Sequence, residues 1–169
     1  LTESREPSQG RETLVDDVAL DGATLAKAEE SPTRLLYATP VLSKPVHVSG
    51  TARVTITLAC DKPATNLSVW LVSLPWTDKA PILENVITRG WADPKNRNSL
   101  EKEEPLVPGK PVTVTFDLQP DDQVIAAGKR IGLMVFASDR DFTLWPEPGT
   151  KLELHLADAY PRGVVLARG

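Results

Sequence analysis

Arg53-Val54-Thr55-Ile56-Thr57-Leu58-Ala59-Cys60 decides the fold class. Val54, Ile56, Leu58 and Cys60 alternate with Arg53, Thr55, Thr57 and Ala59, a period of two. That period sends one set of side chains to a buried sheet face and the other outward. The pattern recurs at Val112, Val114, Phe116 and Leu118, alternating with Thr113, Thr115 and Asp117, and again at Leu152, Leu154 and Leu156. Two further runs, LSVWLVSL at 67–74 and IGLMVFA at 131–137, are apolar on both sides, as expected of central strands covered on both faces. Residues 82–91, ILENVITRGW, form another strand candidate. Shorter pieces at 35–37, 46–48 and 164–166 would complete the edges.

Turn chemistry separates these runs: Asp61-Lys62-Pro63, residues 75–81 between two prolines, Pro108-Gly109-Lys110-Pro111, Ala127-Gly128-Lys129 and Glu147-Pro148-Gly149. The expected core holds Val54, Ile56, Leu58, Val69, Leu71, Val114, Phe116, Leu133, Val135 and Leu154. Six or more strands with turns between them predict an all-β, antiparallel β-sandwich. The long connections at 75–81 and 92–110 suit Greek-key crossovers. One short N-terminal helix stands outside the β pattern. It starts after Asp21, a capping residue, continues through good helix formers and stops at Ser31-Pro32. Residues 1–13 are polar, lack a hydrophobic period and read as a linker or terminus. The expected organisation is therefore an acidic linker with a short helix over 1–30 and the sandwich over 31–169.

The chain has 169 residues, of which 41% are hydrophobic and 25% charged, enough to close one core. Charge is uneven. The first 31 residues hold eight acids against three bases, and the remainder holds 15 against 16, so the net −4 comes from the leader. A nearly neutral body has no electrostatic footprint for nucleic acid or anionic lipid, and no apolar run reaches membrane-helix length. The N-terminus shows no signal-peptide pattern, and one cysteine leaves the compartment open. The chain starts at Leu1, and a fragment of a longer protein is the expectation.

Catalytic machinery is sparse in the sequence. There is no Gly-x-Ser-x-Gly elbow, and the histidines are His47 and His155, each in a strand context without an evident triad. Cys60 alternates with core positions and reads as a small buried hydrophobe. Three His and Cys residues far apart do not suggest zinc, and no glycine-rich phosphate loop occurs. Asp139, Asp141 and the Asp121-Asp122 pair could offer oxygens to calcium, but Arg140 between the first two argues for local charge pairing. No cofactor or metal is expected. Trp70 reads as core, whereas Trp76, Trp91 and Trp145 lie at strand ends or in loops, placed to wall a pocket or pack under another domain.

The stretch Ile87-Thr88-Arg89-Gly90-Trp91-Ala92-Asp93-Pro94-Lys95-Asn96-Arg97-Asn98-Ser99-Leu100 is the most specific. It is followed by Glu104-Pro105-Leu106-Val107-Pro108-Gly109, the strand at 112–118, Pro120-Asp121-Asp122, Ala127-Gly128-Lys129-Arg130-Ile131-Gly132-Leu133 and ASDRDFTL at 137–144. That order, with the opening at 31–54, resembles the C-terminal β-sandwich of the X-prolyl dipeptidyl-peptidase family of serine hydrolases, whose relatives include cocaine esterase and glutaryl-acylase-like enzymes. The resemblance covers about residues 31–157. It implies an all-β, antiparallel jelly-roll β-sandwich of the galactose-binding-like kind, non-catalytic and appended to an α/β-hydrolase domain that carries the Ser, Asp and His of the triad, so none of these maps onto this chain. It also implies that the partner is that catalytic domain of the same parent, with homo-oligomerisation as a further option, and that the parent removes Xaa-Pro dipeptides or hydrolyses related esters and amides, the Arg-Gly-Trp version looking closer to the dipeptidyl-peptidase branch. The candidate structural and docking residues are Arg89, Trp91, Asp93, Asn96 and Arg97. They are expected to form an ordered loop in which Arg89 pairs with Asp93 and Trp91 packs beneath; the alternative is that Arg89 or Arg97 reaches into the parent's active site to hold a substrate. The alternative from another class is a carbohydrate-binding jelly-roll module, in which loop tryptophans stack on sugars.

Overall fold

A computed structural model describes residues 10–144 and 147–155. The strands are β1 (Arg11–Val15), β2 (Arg34–Ala38), β3 (Val46–Gly50), β4 (Arg53–Cys60), β5 (Leu67–Leu74), β6 (Val86–Ala92), β7 (Val112–Asp117), β8 (Asp121–Ile125), β9 (Arg130–Phe136) and β10 (Lys151–His155). Two short helices, α1 (Gly22–Lys27) and α2 (Ile82–Asn85), accompany them. All strand pairs are antiparallel. One sheet has the order β1-β10-β4-β7, the other β2-β9-β5-β6, and β3 pairs with β8 in a separate ribbon. The chain is an all-β sandwich. The expected pieces at Leu156 and 164–166, and Trp145, lie outside the described residues.

The period of two builds the core. Val54, Leu58, Val114, Leu152 and Leu154 from the first sheet meet Leu67, Val69, Leu71, Ile87, Ile131 and Val135 from the second. Ile56, Phe116 and Leu133 face this same core but are only partly buried. The doubly apolar strands are the two central ones of their sheet, β5 and β9. Their other faces carry Trp70, Val72, Met134 and Phe136, covered by Leu25 and Ala26 of α1. Burial on both faces explains why neither strand alternates.

Helix α1 is held at both ends by side chains. Asp21 caps it by accepting from Thr24 N at 2.7 Å. Its last carbonyls meet the buried Arg34 of β2, which donates to Leu25 O at 2.6 Å and to Ala28 O. Burial pulls the Arg34 guanidinium below its ordinary range, and three backbone oxygens surround it instead of a carboxylate. Gly22 is required by contact: a Cβ there would lie 2.3 Å from the Trp70 indole.

Four expectations change. Residues 11–13, read as linker, begin β1, which pairs with β10 from Arg11–His155 to Val15–Lys151. This edge strand buries only Leu14 fully among its apolar side chains, so it leaves no period in the sequence. The strand candidate at 82–91 starts with α2, and β6 begins only at Val86. The connection containing 75–81 is not a crossover, because β5 and β6 are neighbours in one sheet. Asn85 closes that long hairpin by accepting from Thr77 N at 2.8 Å and donating to Thr77 O at 2.9 Å. The segment after β6 does cross between sheets, to β7. Finally, the helices number two among the described residues, not one.

Because Phe116 is only partly buried and Leu58 is fully buried, Leu58→Ala should cost ~2–5 kcal/mol and Phe116→Ala less than the ~3–5 kcal/mol typical of an enclosed Phe. Urea melts of the two variants check that order. Gly22→Ala should destabilise by ~1–3 kcal/mol through overpacking against Trp70, despite alanine's better helix propensity. A loss of the near-UV tryptophan signal together with the shifted melt is the expected result.

Candidate functional site

The pairing of β5 with β6 sets Arg89 opposite Trp70 and Trp91 opposite Ser68. All four therefore lie on the outer face of the second sheet, away from the main core. A recess of ≈ 240 Å³ opens there, lined by Asp21, Gly22, Ala23, Trp70, Ile82, Arg89, Asp139, Asp141 and Phe142. Its walls are the start of α1, the outer face of β5 and β6, the first residue of α2, and the 139–142 segment.

Arg89 sits among aromatic rings. Its Cζ lies 4.2 Å from the Phe142 ring centre, 5.3 Å from Trp70 and 5.5 Å from Trp91. Trp91 stacks on Phe142 with centroids 4.9 Å apart and planes 24° from parallel. Trp70 meets Phe136 edge to face at 5.9 Å. The guanidinium is thus held by ring quadrupoles.

Asp139 is completely buried in this array. Its Oδ2 accepts from Trp91 Nε1 at 3.0 Å. Burial pushes the carboxyl above the ordinary carboxylate range, opposed chiefly by the Trp91 hydrogen bond. Asp139 Oδ1 and Trp70 Nε1 are both enclosed without a hydrogen bond of ordinary geometry. The backbone around Asp139 is tied down by Phe142 N and Thr143 N donating to its carbonyl, and by Thr143 Oγ1 accepting from its amide. The preceding Ser138 donates to the buried Asp16 from both N and Oγ, fastening this segment to the end of β1.

The five candidate residues divide into two groups. Arg89 and Trp91 belong to the recess. Asp93, Asn96 and Arg97 belong to the crossover loop and bond it internally. The Arg89–Asp93 pair is absent: Asp93 caps the 3-10 turn Pro94–Asn96 by accepting from Lys95 N at 2.9 Å, while Arg89 turns to the rings. Asn96 donates to Ser99 O at 3.0 Å. Arg97 donates to Pro94 O, Glu104 O and Glu104 Oε2 at 2.9–3.1 Å, which binds the loop's two limbs together. Trp91 reaches the 139–142 segment through its stack and its hydrogen bond. Sequence reasoning missed Asp139 as a hydrogen-bond acceptor for an indole, and Phe142 as a wall. Their signal was the stretch ASDRDFTL, in which an acid at a strand end is followed by an aromatic.

The remaining polar candidates are separate from the recess. His47 Nε2 contacts Asp122 on the exposed β3–β8 ribbon, and His155 Nε2 lies 3.0 Å from Glu153 Oε1. Neither imidazole hydrogen-bonds a Ser, Thr or Cys among the described residues. Cys60 is buried, and burial pushes its thiol up, so it is not poised as a thiolate. No group of three metal-ligating side chains occurs among the described residues.

A family model described as the X-Pro dipeptidyl-peptidase C-terminal non-catalytic domain matches residues 1–165. A protein of Rhodopirellula baltica named "Putative Xaa-Pro dipeptidyl-peptidase" is 60% identical over 147 residues, covering 86% of this chain and 24% of that protein. One of the same name from Bacillus anthracis is 40% identical over 148 residues, again 86% of this chain and 24% of its own length. The chain therefore spans about a quarter of these curated relatives. Among solved structures, an aminopeptidase from a marine sediment Thaumarchaeota archaeon superposes with a TM-score of 0.68 at 18% identity, over 91% of this chain and 32% of that one. An α-amino acid ester hydrolase gives 0.65 at 15% identity, over 86% and 30%. These two likenesses concern the fold alone. With a family model that spans nearly the whole sequence, the chain belongs to the X-Pro dipeptidyl-peptidase C-terminal non-catalytic domain family.

Proposed function

We propose that this domain is the accessory part of a serine Xaa-Pro dipeptidyl-peptidase, and that it packs on an α/β-hydrolase catalytic domain of the same parent chain. In that position it limits access to the active site and supports assembly. The observation that carries this reading is where apolar surface is left uncovered. Ile82 (47% exposed) and Phe142 (49%) both line the recess, and one and two residues further on stand Leu83 (75%) and Leu144 (87%) respectively. Exposed apolar side chains gathered around an ordered recess are characteristic of an interaction surface.

The outer face of the first sheet is the opposite. Thr55 pairs with Thr115 and Thr57 with Thr113, both at 2.9 Å, and Arg53 holds Asp117 through two hydrogen bonds. That face satisfies its own polar groups and suits water. The carbohydrate-binding alternative needs flat aromatic faces open to solvent. Trp91 stacks on Phe142, and Trp76 packs against the α1-side cluster, so both rings are partly occupied within the domain.

In the full-length protein that carries this chain, amides of 82–85 and 139–144 should exchange more slowly than those of the exposed β8 ribbon, although Ile82, Leu83, Phe142 and Leu144 are exposed in this domain, as is Val124 of β8. Hydrogen-exchange mass spectrometry reads this directly, and equal, rapid exchange would remove the docking reading. The isolated chain should also fail to release p-nitroaniline from Gly-Pro-p-nitroanilide. Turnover that persists in His47→Ala and His155→Ala preparations, and scales with the purified chain, would count against a purely accessory role.

A further inference from the structure

Arg89 differs from the other arginines packed into this domain. Arg34 gives its donors to helix carbonyls, and Arg97 gives its donors to Pro94 and Glu104. The Arg89 guanidinium contacts rings only, and makes no hydrogen bond or ion pair among the described residues. Stacking occupies the faces of a guanidinium, whereas its five N–H donors lie in the plane. Those donors belong to a side chain that lines the recess beside the exposed Ile82 and Phe142.

The recess carboxylates do not serve Arg89. Asp21 is occupied in capping α1, Asp139 Oδ2 accepts from Trp91, and Asp141 lies on the exposed rim outside ion-pair distance of Arg89. A planar cation fixed by three rings, with its edge unmet and apolar groups around it, is preorganised for one kind of acceptor. Carboxylates match that fork with two parallel hydrogen bonds, and the pair strengthens as apolar neighbours exclude water. Arginine beside aromatic residues is also the composition of interface hot spots.

We propose that Arg89 is the polar anchor of the docking surface, and that its N–H edge receives a carboxylate side chain from the hydrolase part of the same parent chain. This rests on the docking reading above. The acceptor comes from the three quarters of the relatives' length that lies outside this chain. Arg89 acts here by binding the hydrolase part.

The test uses the full-length protein, with Arg89→Lys, Arg89→Met and, as a control on the opposite sheet, Arg53→Met. Hydrogen exchange over 82–85 and 139–144 is measured at low and high salt, and near-UV circular dichroism checks that the tryptophan array survives. The expected result is that both Arg89 variants speed exchange in those segments about tenfold, as loss of a charge-assisted pair would. Wild-type protection should fall with salt, that salt dependence should vanish in Arg89→Met, and Arg53→Met should behave as wild type. If wild type is protected but the Arg89 variants exchange like it, the anchor is refuted and the docking reading stands. If protection depends on Arg89 but is indifferent to salt, a neutral acceptor replaces the carboxylate and the proposal is overturned. If wild type shows no protection there, the docking reading fails and takes the anchor with it.

Discussion

A buried carboxylate organises the outer face of the second sheet. Asp139 is fully enclosed, and taking a carboxylate out of water costs several kcal/mol unless donors replace its hydration. Trp91 Nε1 supplies the one well-formed hydrogen bond. The backbone N–H groups of Gly22 and Asp141 and the Trp70 indole also favour its charged form, through contacts that stop short of ordinary hydrogen-bond geometry at Oδ1. Trp91 stands on β6 and Asp139 follows β9, so that hydrogen bond fixes the β6 edge of the sheet against the 139–142 segment. The start of α1 must approach closely enough that only glycine fits over Trp70. Trp91 must turn toward the 139–142 segment, and Phe142 then stacks on it and closes over Arg89.

The two outer faces of the sandwich follow from this difference. On the first sheet the outward residues of β4 and β7 are threonines and an Arg–Asp pair that bond across the strands. Such a face is complete without a cover. On the second sheet the outward residues are large and apolar, and six residues of α1 cannot cover them all. What α1 leaves uncovered is the end toward β6, where the recess lies. Burial requirements alone make the molecule two-sided, before any partner is considered.

Much of this was legible in the sequence because β-sheet burial leaves a period. The alternating runs marked β4, β7 and β10, and the two doubly apolar runs marked the central strands β5 and β9. The Asp21 cap marked the start of α1. What was not legible had no period to leave. β1 is an edge strand anchored by Leu14 and by ladder hydrogen bonds, which any residue type can make. α2 is a single turn closed off by Asn85, and a four-residue helix is too short for a 3.6-residue period to show. Arg89 and Asp93 stand four positions apart in sequence yet do not pair. Alternation along β6 turns Arg89 to the outer face, while Asp93 is drawn into capping the next turn. Asp139 was visible as an acid and invisible as a buried one, since its partner lies 48 residues away.

Strand register, more than loop conformation, therefore sets the geometry of the recess. Arg89 lies opposite Trp70 because of the β5–β6 ladder, and Met134 lies opposite Trp70 because of the β5–β9 ladder. A slip of one residue in β6 would drive Arg89 and Trp91 into the main core and expose Gly90, an exchange that burial energetics forbid. The ladder shifts register once, between Leu71 and Val72, on the α2 side of Arg89. That irregularity adjusts where α2 enters without disturbing the pairs at Arg89 and Trp91. The hydrophobic core thus specifies, through the same alternation that folds the sandwich, where a charged side chain stands on its surface. Loop exchange between relatives could alter the rim at Ile82 and Phe142 while leaving the position of the guanidinium on β6 unchanged.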